Sequence, residues 1–289
     1  MNTPTLDDTV KKIHFDEIVK KVQDLPTLPG IVMELLNAID EEDVNISVLA
    51  QKVSHDQALT AKTLRFANSS LYGTSSKAAT IQQAITFLGM QTVRNLIIAA
   101  AMTGCFPERR CAGFDFKAFW RHSMATAICA KSLARHIGSD QDQAYTAGLL
   151  HDIGRLVLVT RFPQHYEKAI AYRIDHDCHM LEAEREVLGI DHVQAGSALA
   201  MHWSLSETLR HAIAGHHEPE TQDGITLAAI VHVADAIAHA LDLSGIEDDV
   251  VPPISFSAWN GMNLDEPAYI GIFRETLSGF EQVNQILLA

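Results

Sequence analysis

The chain is short of cysteine, of positive charge and of long apolar runs, and each shortage narrows what it can be. Its four cysteines, Cys105, Cys111, Cys129 and Cys178, are sparse for 289 residues and form no Cys-x-x-Cys pair. That speaks against a disulfide framework and predicts reduced thiols in a cytoplasmic protein. Basic residues number 22 against 36 acidic, a formal net charge of −14. An acidic surface repels nucleic-acid backbones and anionic lipid, and no Lys/Arg stripe interleaved with aromatics overrides it. Neither a nucleic acid nor a membrane is therefore expected as a partner. An anionic substrate would need local cations, which bound metal ions would supply. The longest apolar stretch, near Leu96–Met102, is far too short to span a bilayer. The start, Met1 to Lys21, is too polar for a signal peptide. Strand-like alternation, a Gly-rich nucleotide loop and a Gly-x-Ser-x-Gly elbow are all missing.

What remains is helical periodicity on an ordinary globular composition, 47% hydrophobic and 20% charged. Ile31, Met33, Leu35, Leu36 and Ile39 predict one helix. Ile46, Leu49, Ala50 and Val53 predict another, with Asn45 as its N-cap. Leu59, Leu64, Phe66 and Ala67 follow, and Ile81 to Met102 is a longer run broken at Gly89. The expected fold class is all-α. Leu25-Pro26-Thr27-Leu28-Pro29-Gly30 is a stiff turn before the first main helix. The pattern breaks again at Cys105 to Gly113. We place a lobe boundary there, giving an N-terminal helical lobe over 1–110 and a second lobe over 111–240. An extension over 241–289 is loop-rich at first and ends in an amphipathic helix from Pro267 to Leu288.

The second lobe carries the chemistry. Gly148-Leu149-Leu150-His151-Asp152-Ile153-Gly154-Arg155 holds one of three His-Asp dipeptides; the others are His55-Asp56 and His176-Asp177. Only the pair at 151 sits in an apolar, helix-like stretch, with His122 upstream and His192, His216, His217 and Asp235 downstream. Imidazoles and carboxylates suit iron, manganese or zinc. Adjacent helical residues point about 100° apart, so His151 and Asp152 on one helix reach one site from a single segment. A carboxylate has two oxygens, so Asp152 can serve two ions about 3.5–4 Å apart, the spacing of two-metal hydrolases. Gly148 and Gly154 leave room for a helix or a ligand to approach. Asp235 lies in an apolar helix, where an unpaired carboxylate is costly. His216-His217 reads as a helix C-terminus.

Each part has a plainer reading. A lone helical His is more often a surface or satisfied core residue. Asp235 alone reads equally as half of a buried ion pair, and Asp191-His192 equally as a helix N-terminal pair. Trp120 reads as a core anchor, and Trp203 with His202 as core or pocket wall. Asn68-Ser69-Ser70-Leu71-Tyr72-Gly73 reads as a helix-ending loop before it reads as a contact loop. Glu182, Glu184 and Glu186 beside Arg185 read as a solvated helix face.

The ordered set resembles the HD superfamily of metal-dependent phosphohydrolases. From Leu25 to Asp235 the chain resembles more specifically the HDOD family, HD-related output domains of bacterial signalling proteins. The residues that carry this are Leu25-Pro26-Thr27-Leu28-Pro29, the run Asp56 to Ser69, Ile81-Gln82-Gln83-Ala84-Ile85-Thr86-Phe87-Leu88-Gly89-Met90, and Gly148 to Arg155. The resemblance implies a two-lobed helical architecture with an HD-type bundle as the C-terminal lobe. Many HDOD domains have lost the ligands of the related HD-GYP cyclic-di-GMP phosphodiesterases and act as regulatory modules. This chain matches them at His122, His151, Asp152, His192, His216, His217 and Asp235. By that resemblance Asp152 bridges two divalent transition ions, Fe or Mn ahead of Zn. His122, His151 and Asp235 hold one, and His192, His216 and His217 the other. Three departures count against cyclic-di-GMP. Arg155 stands where that family has lysine, no Gly-Tyr-Pro loop follows His217-Glu218, and Ala118 stands where a further glutamate would serve a third metal. The resulting expectation is a signalling-type phosphohydrolase with Asp152 and Arg155 catalytic. Its substrate would be a phosphate-containing small molecule or nucleotide, and its partner a signalling protein. The alternative is a non-catalytic regulatory module with a structural or ligand-sensing metal site.

Overall fold

Short polar side chains cap the starts of eight of the sixteen helices among the described residues. Asp56, Thr80, Asp115, Asp140, Asp191, Ser206, Thr226 and Ser255 each accept a backbone N–H two or three residues on. Each thereby satisfies a donor that the first helical turn cannot pair. The computed structural model describes residues 12–37, 46–68, 77–106, 110–220, 224–246 and 249–287. The expected N-cap Asn45, the turn at 69–73, positions 107–109 of the lobe boundary, and Gln222, Asp223, Glu247 and Asp248 lie outside the described residues.

Among the described residues the fold is all-α, with sixteen helices and no strand. The first six are α1 (Phe15–Gln23), α2 (Gly30–Asn37), α3 (Ile46–Ser54), α4 (Gln57–Ala67), α5 (Ile81–Leu88) and α6 (Met90–Cys105). Then come α7 (Phe116–Ile137), α8 (Gln141–Leu150), α9 (Ile153–Arg161), α10 (Pro163–His176) and α11 (Met180–Leu188). The last five are α12 (His192–His202), α13 (Glu207–Gly215), α14 (Leu227–Ala240), α15 (Phe256–Gly261) and α16 (Glu266–Leu287). The break expected at Gly89 separates α5 from α6. Its φ of 82° with ψ of 158° is a conformation open essentially to glycine alone.

Helix α7 is the axle of the second half. Its alanines, serines and small apolar residues let α8, α14 and α16 pack around it. One apolar cluster runs from Ile13 through Leu36, Ile97 and Phe119 to Leu199 and Val231, crossing position 110 without a gap. Helix α1 packs on α12, and Ile13 N–H donates to the Leu188 carbonyl at 2.8 Å. A second cluster ties Ala258, Tyr269 and Ile272 of α15 and α16 to Leu133 of α7 and Val233 of α14. Trp120 and Trp203 are both core residues, the latter edge-on to Phe106 at 6.0 Å. All four cysteines are free thiols. No helix among the described residues is long and apolar enough to cross a membrane.

Candidate metal centre

The expectation of one helix through His151 and Asp152 is corrected by the structure. Helix α8 ends at Leu150 and α9 begins at Ile153, so the pair occupies the turn between them. Asp152 has φ −96° and ψ 10°, away from helical values. The cause is a pair of glycines that press the two helices onto different partners. A Cβ at Gly148 would lie 2.8 Å from Ala127 Cα on α7. One at Gly154 would lie 1.9 Å from the His192 carbonyl oxygen on α12. The two helices are thus seated closely on different neighbours, and the turn between them delivers both side chains inward. Both glycines thus admit a helix rather than a ligand.

All seven predicted donors meet around that turn. His122 comes from the second turn of α7 and Asp235 from the middle of α14. His192 opens α12, and His216-His217 follow the end of α13. Asp191 is the N-cap of α12 and forms a capping box with Gln194, so the N-terminal reading of Asp191-His192 also holds. Asp152 Oδ1 is 3.2 Å from His192 Nε2 and 3.7 Å from His216 Nε2. His192 Nε2 is 2.9 Å from His217 Nε2. On the other side, Asp235 Oδ1 is 2.9 Å from His122 Nε2 and 3.4 Å from His151 Nε2. The two imidazole nitrogens, His122 Nε2 and His151 Nε2, are 3.3 Å apart. His151 Nε2 lies 3.9 Å from Asp152 Oδ2. The two groups therefore adjoin at Asp152.

These spacings suit shared coordination. Donors about 2.0–2.2 Å from one ion, at angles between square and tetrahedral, lie roughly 2.8–3.6 Å from each other. The rings are also pinned. His151 Nδ1 faces the Gly148 carbonyl at 2.7 Å and His216 Nδ1 the Ile213 carbonyl at 2.8 Å. A carbonyl only accepts, so Nδ1 carries the proton and Nε2 is the nitrogen turned inward. His192 Nδ1 lies 2.6 Å from Glu184 Oε2, with the same result. Asp235 Oδ1 and His216 Nε2 are buried without a hydrogen-bond partner, which buried polar atoms rarely tolerate. Each lies in one of the two donor groups, where a divalent ion would satisfy it, so the residues fit metal. The oxygen and imidazole donors, with no thiolate among them, suit Fe, Mn or Zn.

Burial and mutual contact set the charges. Burial pushes the Asp152 pKa up, but His192, His151 and Arg155 outweigh it and hold the group well below the usual carboxylate range. Asp235 behaves alike under His239, His122 and His151. Burial, then His216 and His192, drives His217 down to about 2. Burial likewise lowers His122 and His216. His192 moves the other way, because Glu184 and Asp152 outweigh burial and raise it to about 9. The cluster opens into a cleft of about 650 Å³ lined by Asp152, His217, Asp235, Arg155, Arg173 and Phe114, among others.

The model of the HDOD domain matches residues 25–219. The chain belongs to the HDOD family. A solved structure from Shewanella amazonensis SB2B, named "Putative phosphohydrolase", has a TM-score of 0.70 at 31% identity, over 93% of this HDOD chain and 97% of that one. An HDOD domain protein with unknown function from Geobacter sulfurreducens has a TM-score of 0.71 at 25% identity, covering 95% and 93%. An uncharacterized protein of Treponema pallidum (strain Nichols) is 28% identical over 207 residues, 69% of this chain but 39% of that protein. Ribonuclease Y of Oleidesulfovibrio alaskensis is 33% identical over 120 residues, 42% of this chain and 18% of that enzyme. The chain thus spans well under two thirds of the length of these curated relatives.

Three residues of this HDOD protein read differently in space than in sequence. Glu184 is not on a solvated face: it is fully buried, while Glu182 and Glu186 are exposed. It accepts the His192 N–H at 2.8 Å and faces the His192 ring. Its place on the stripe Met180, Ala183, Glu184, Val187 was the available signal. Arg155 reaches the cleft but is already engaged, with Nη1 on Asp152 Oδ2 at 3.0 Å and Nε on the Tyr166 hydroxyl at 3.1 Å. His239, one turn past Asp235 on α14 and not marked by the His-Asp pattern, lies within ligand distance of His122 and Asp235. The other two His-Asp dipeptides serve the backbone. Asp56 caps α4, and Asp177 ends α10 in the left-handed region at φ 48°.

Proposed function

We propose that this HDOD protein is a metal-dependent phosphohydrolase holding two divalent transition ions, Fe or Mn ahead of Zn, at adjoining sites. The observation that carries this reading is the convergence of five imidazole Nε2 atoms on Asp152 and Asp235, beside an open cleft. His122, His151 and Asp235 would hold one ion, and His192, His216 and His217 the other, with Asp152 between them. Bound there, such ions would activate water and neutralise phosphoryl oxygens. Arg155, fixed by Asp152 and Tyr166, would add positive charge where the phosphoryl group sits. Glu184 would hold His192 in the tautomer that ligates.

The substrate class is a phosphate ester. The 31% identity to the Shewanella protein supports hydrolysis of such compounds, and the likeness to ribonuclease Y extends the range toward phosphodiesters. A net charge of −14 favours a small phosphate compound or nucleotide over a long polyanion. A second reading is a regulatory module that binds metal and a phosphate ligand without turnover and signals to a partner protein. The engagement of Arg155 by Asp152 and Tyr166 favours it, because a guanidinium held in this way binds a phosphate with its remaining donors but moves little to follow a transition state.

Elemental analysis of the purified chain, with phosphodiester and phosphomonoester assays in added Mn²⁺ or Fe²⁺, tests the choice. Fewer than about one transition ion per chain after anaerobic preparation overturns the metal centre. A full load with no turnover, unchanged in Asp152→Ala, selects the regulatory reading.

A further inference from the structure

Helix α14 brings a second side chain to the centre. His239 Nε2 lies 3.5 Å from Asp235 Oδ1, the oxygen that His122 Nε2 and His151 Nε2 also approach. The rings of His239 and His122 are 4.3 Å apart. Three imidazole nitrogens thus converge on one buried oxygen that makes no hydrogen bond. An ordinary N–H···O bond is about 2.7–3.2 Å long. A separation of 3.5 Å is too long for one, but is the spacing of two neighbouring ligands on one ion.

His239 also has its own outer support. Its Nδ1 lies 2.8 Å from Asp249 Oδ2, and Ser244 Oγ donates to the same oxygen at 2.9 Å. The carboxylate accepts a hydrogen bond from Nδ1–H and so turns Nε2 inward, as Glu184 does for His192. An imidazole serving only as a surface ion pair would need no hydroxyl-buttressed carboxylate behind it and would have no reason to lie against His122, whose ring is tilted 39° to its own. His239 and Asp249 both lie beyond residue 219, where the HDOD match ends, so they belong to this chain's own C-terminal part.

We propose that His239 is a further ligand of the ion held by His122 and Asp235, and that Asp249, braced by Ser244, is its positioning residue. This rests on the metal-centre reading above. It gives that ion a protein donor beyond His122, His151, Asp235 and the intervening Asp152, and it makes Asp249 part of the site's support.

The test uses the full chain, stripped and then titrated with Co²⁺. Occupancy is read by elemental analysis, affinity by competition with a chromophoric chelator, and coordination by the visible d–d bands of Co²⁺. The proteins are wild type, His239→Gln, Asp249→Asn and the surface control His136→Gln. His239→Gln is expected to weaken one ion by about 100-fold and change its visible bands while sparing any other ion. Asp249→Asn should weaken the same ion by about 10- to 100-fold, and His136→Gln should match wild type. Wild-type affinity and spectrum in His239→Gln overturn the proposal and leave the metal centre standing. A wild type that takes up no Co²⁺ overturns the centre itself. Should His239→Gln fail to fold, Asp249→Asn decides alone, and unchanged affinity there overturns the proposal.

Discussion

Replacing Gly154 by alanine should damage fold and site together. The added Cβ would meet the His192 carbonyl oxygen at 1.9 Å and the Gly196 nitrogen at 2.4 Å. A carbon and a carbonyl oxygen in ordinary contact are about 3.3 Å apart, so α9 and α12 must part by about 1.4 Å. Both contacts are backbone, so no side chain can rotate out of the way. Overpacking costs about 1–3 kcal/mol, and two backbone collisions place this change at the upper end, about 3 kcal/mol. The entropy of unfolding for a chain of this length is about 0.6 kcal/mol/K, so Tm should fall by about 5 °C. The site should fail as well. The displaced atom belongs to His192, whose Nε2 sits 3.2 Å from Asp152 Oδ1. A shift above 1 Å exceeds the roughly 0.2 Å tolerance of a metal–ligand distance. The assays are thermal denaturation and metal content, with Gly104→Ala as the control, since its Cβ would meet only Lys62 Nζ at 3.7 Å. A Gly154→Ala protein within about 1 °C of wild type and with full metal content would refute the reasoning.

Three further outcomes follow from single contacts. Glu184→Gln removes the carboxylate that accepts the His192 Nδ1–H, and metal affinity should drop about 10- to 100-fold by competition titration; unchanged affinity counts against the paired assignment. Metal uptake should tighten as pH rises toward 9 and should release protons, because His192 in the metal-free chain carries a pKa of about 9 and must be neutral to ligate; an affinity flat across that range, measured in weakly chelating buffers, contradicts it. Gly89→Ala has open space around the new methyl group but forces an L-residue to φ 82°, so it should cost about 1–3 kcal/mol and lower Tm while leaving metal content intact.

The helices were legible where apolar residues recur at helical spacing and a short polar residue or a glycine marks an end. Gly89 is such a mark, and so is the His216-His217 terminus after α13. What was not legible follows from packing between distant segments. The turn at Asp152 is flanked by glycines that press against Ala127 and His192, which lie 25 or more positions away from it in the chain, and nothing local announces it. Glu184 looked like one of three equivalent glutamates, because burial of a carboxylate depends on a partner ring, here one eight residues later. His239 shares a helix face with Asp235 four residues earlier, a pattern visible in the sequence. Its meaning depends on Asp249, which a loop returns to the helix.

Hydrogen bonds and one close imidazole–carboxylate contact around Asp152 close into a ring, and the ring explains why arginine suits position 155. Asp152 Oδ1 faces His192, whose Nδ1 is held by Glu184. Glu184 accepts from the Tyr166 hydroxyl at 3.1 Å. Tyr166 accepts from Arg155 Nε, and Arg155 Nη1 returns to Asp152 Oδ2. A lysine ammonium at 155 is a single point charge and could not occupy two corners of that ring in fixed directions, whereas the planar guanidinium fork can. The fork has five N–H donors, so two are spent on the ring and others remain for a ligand in the cleft that Arg155 lines. The same side chain thus orients the shared carboxylate and presents charge to an incoming phosphate.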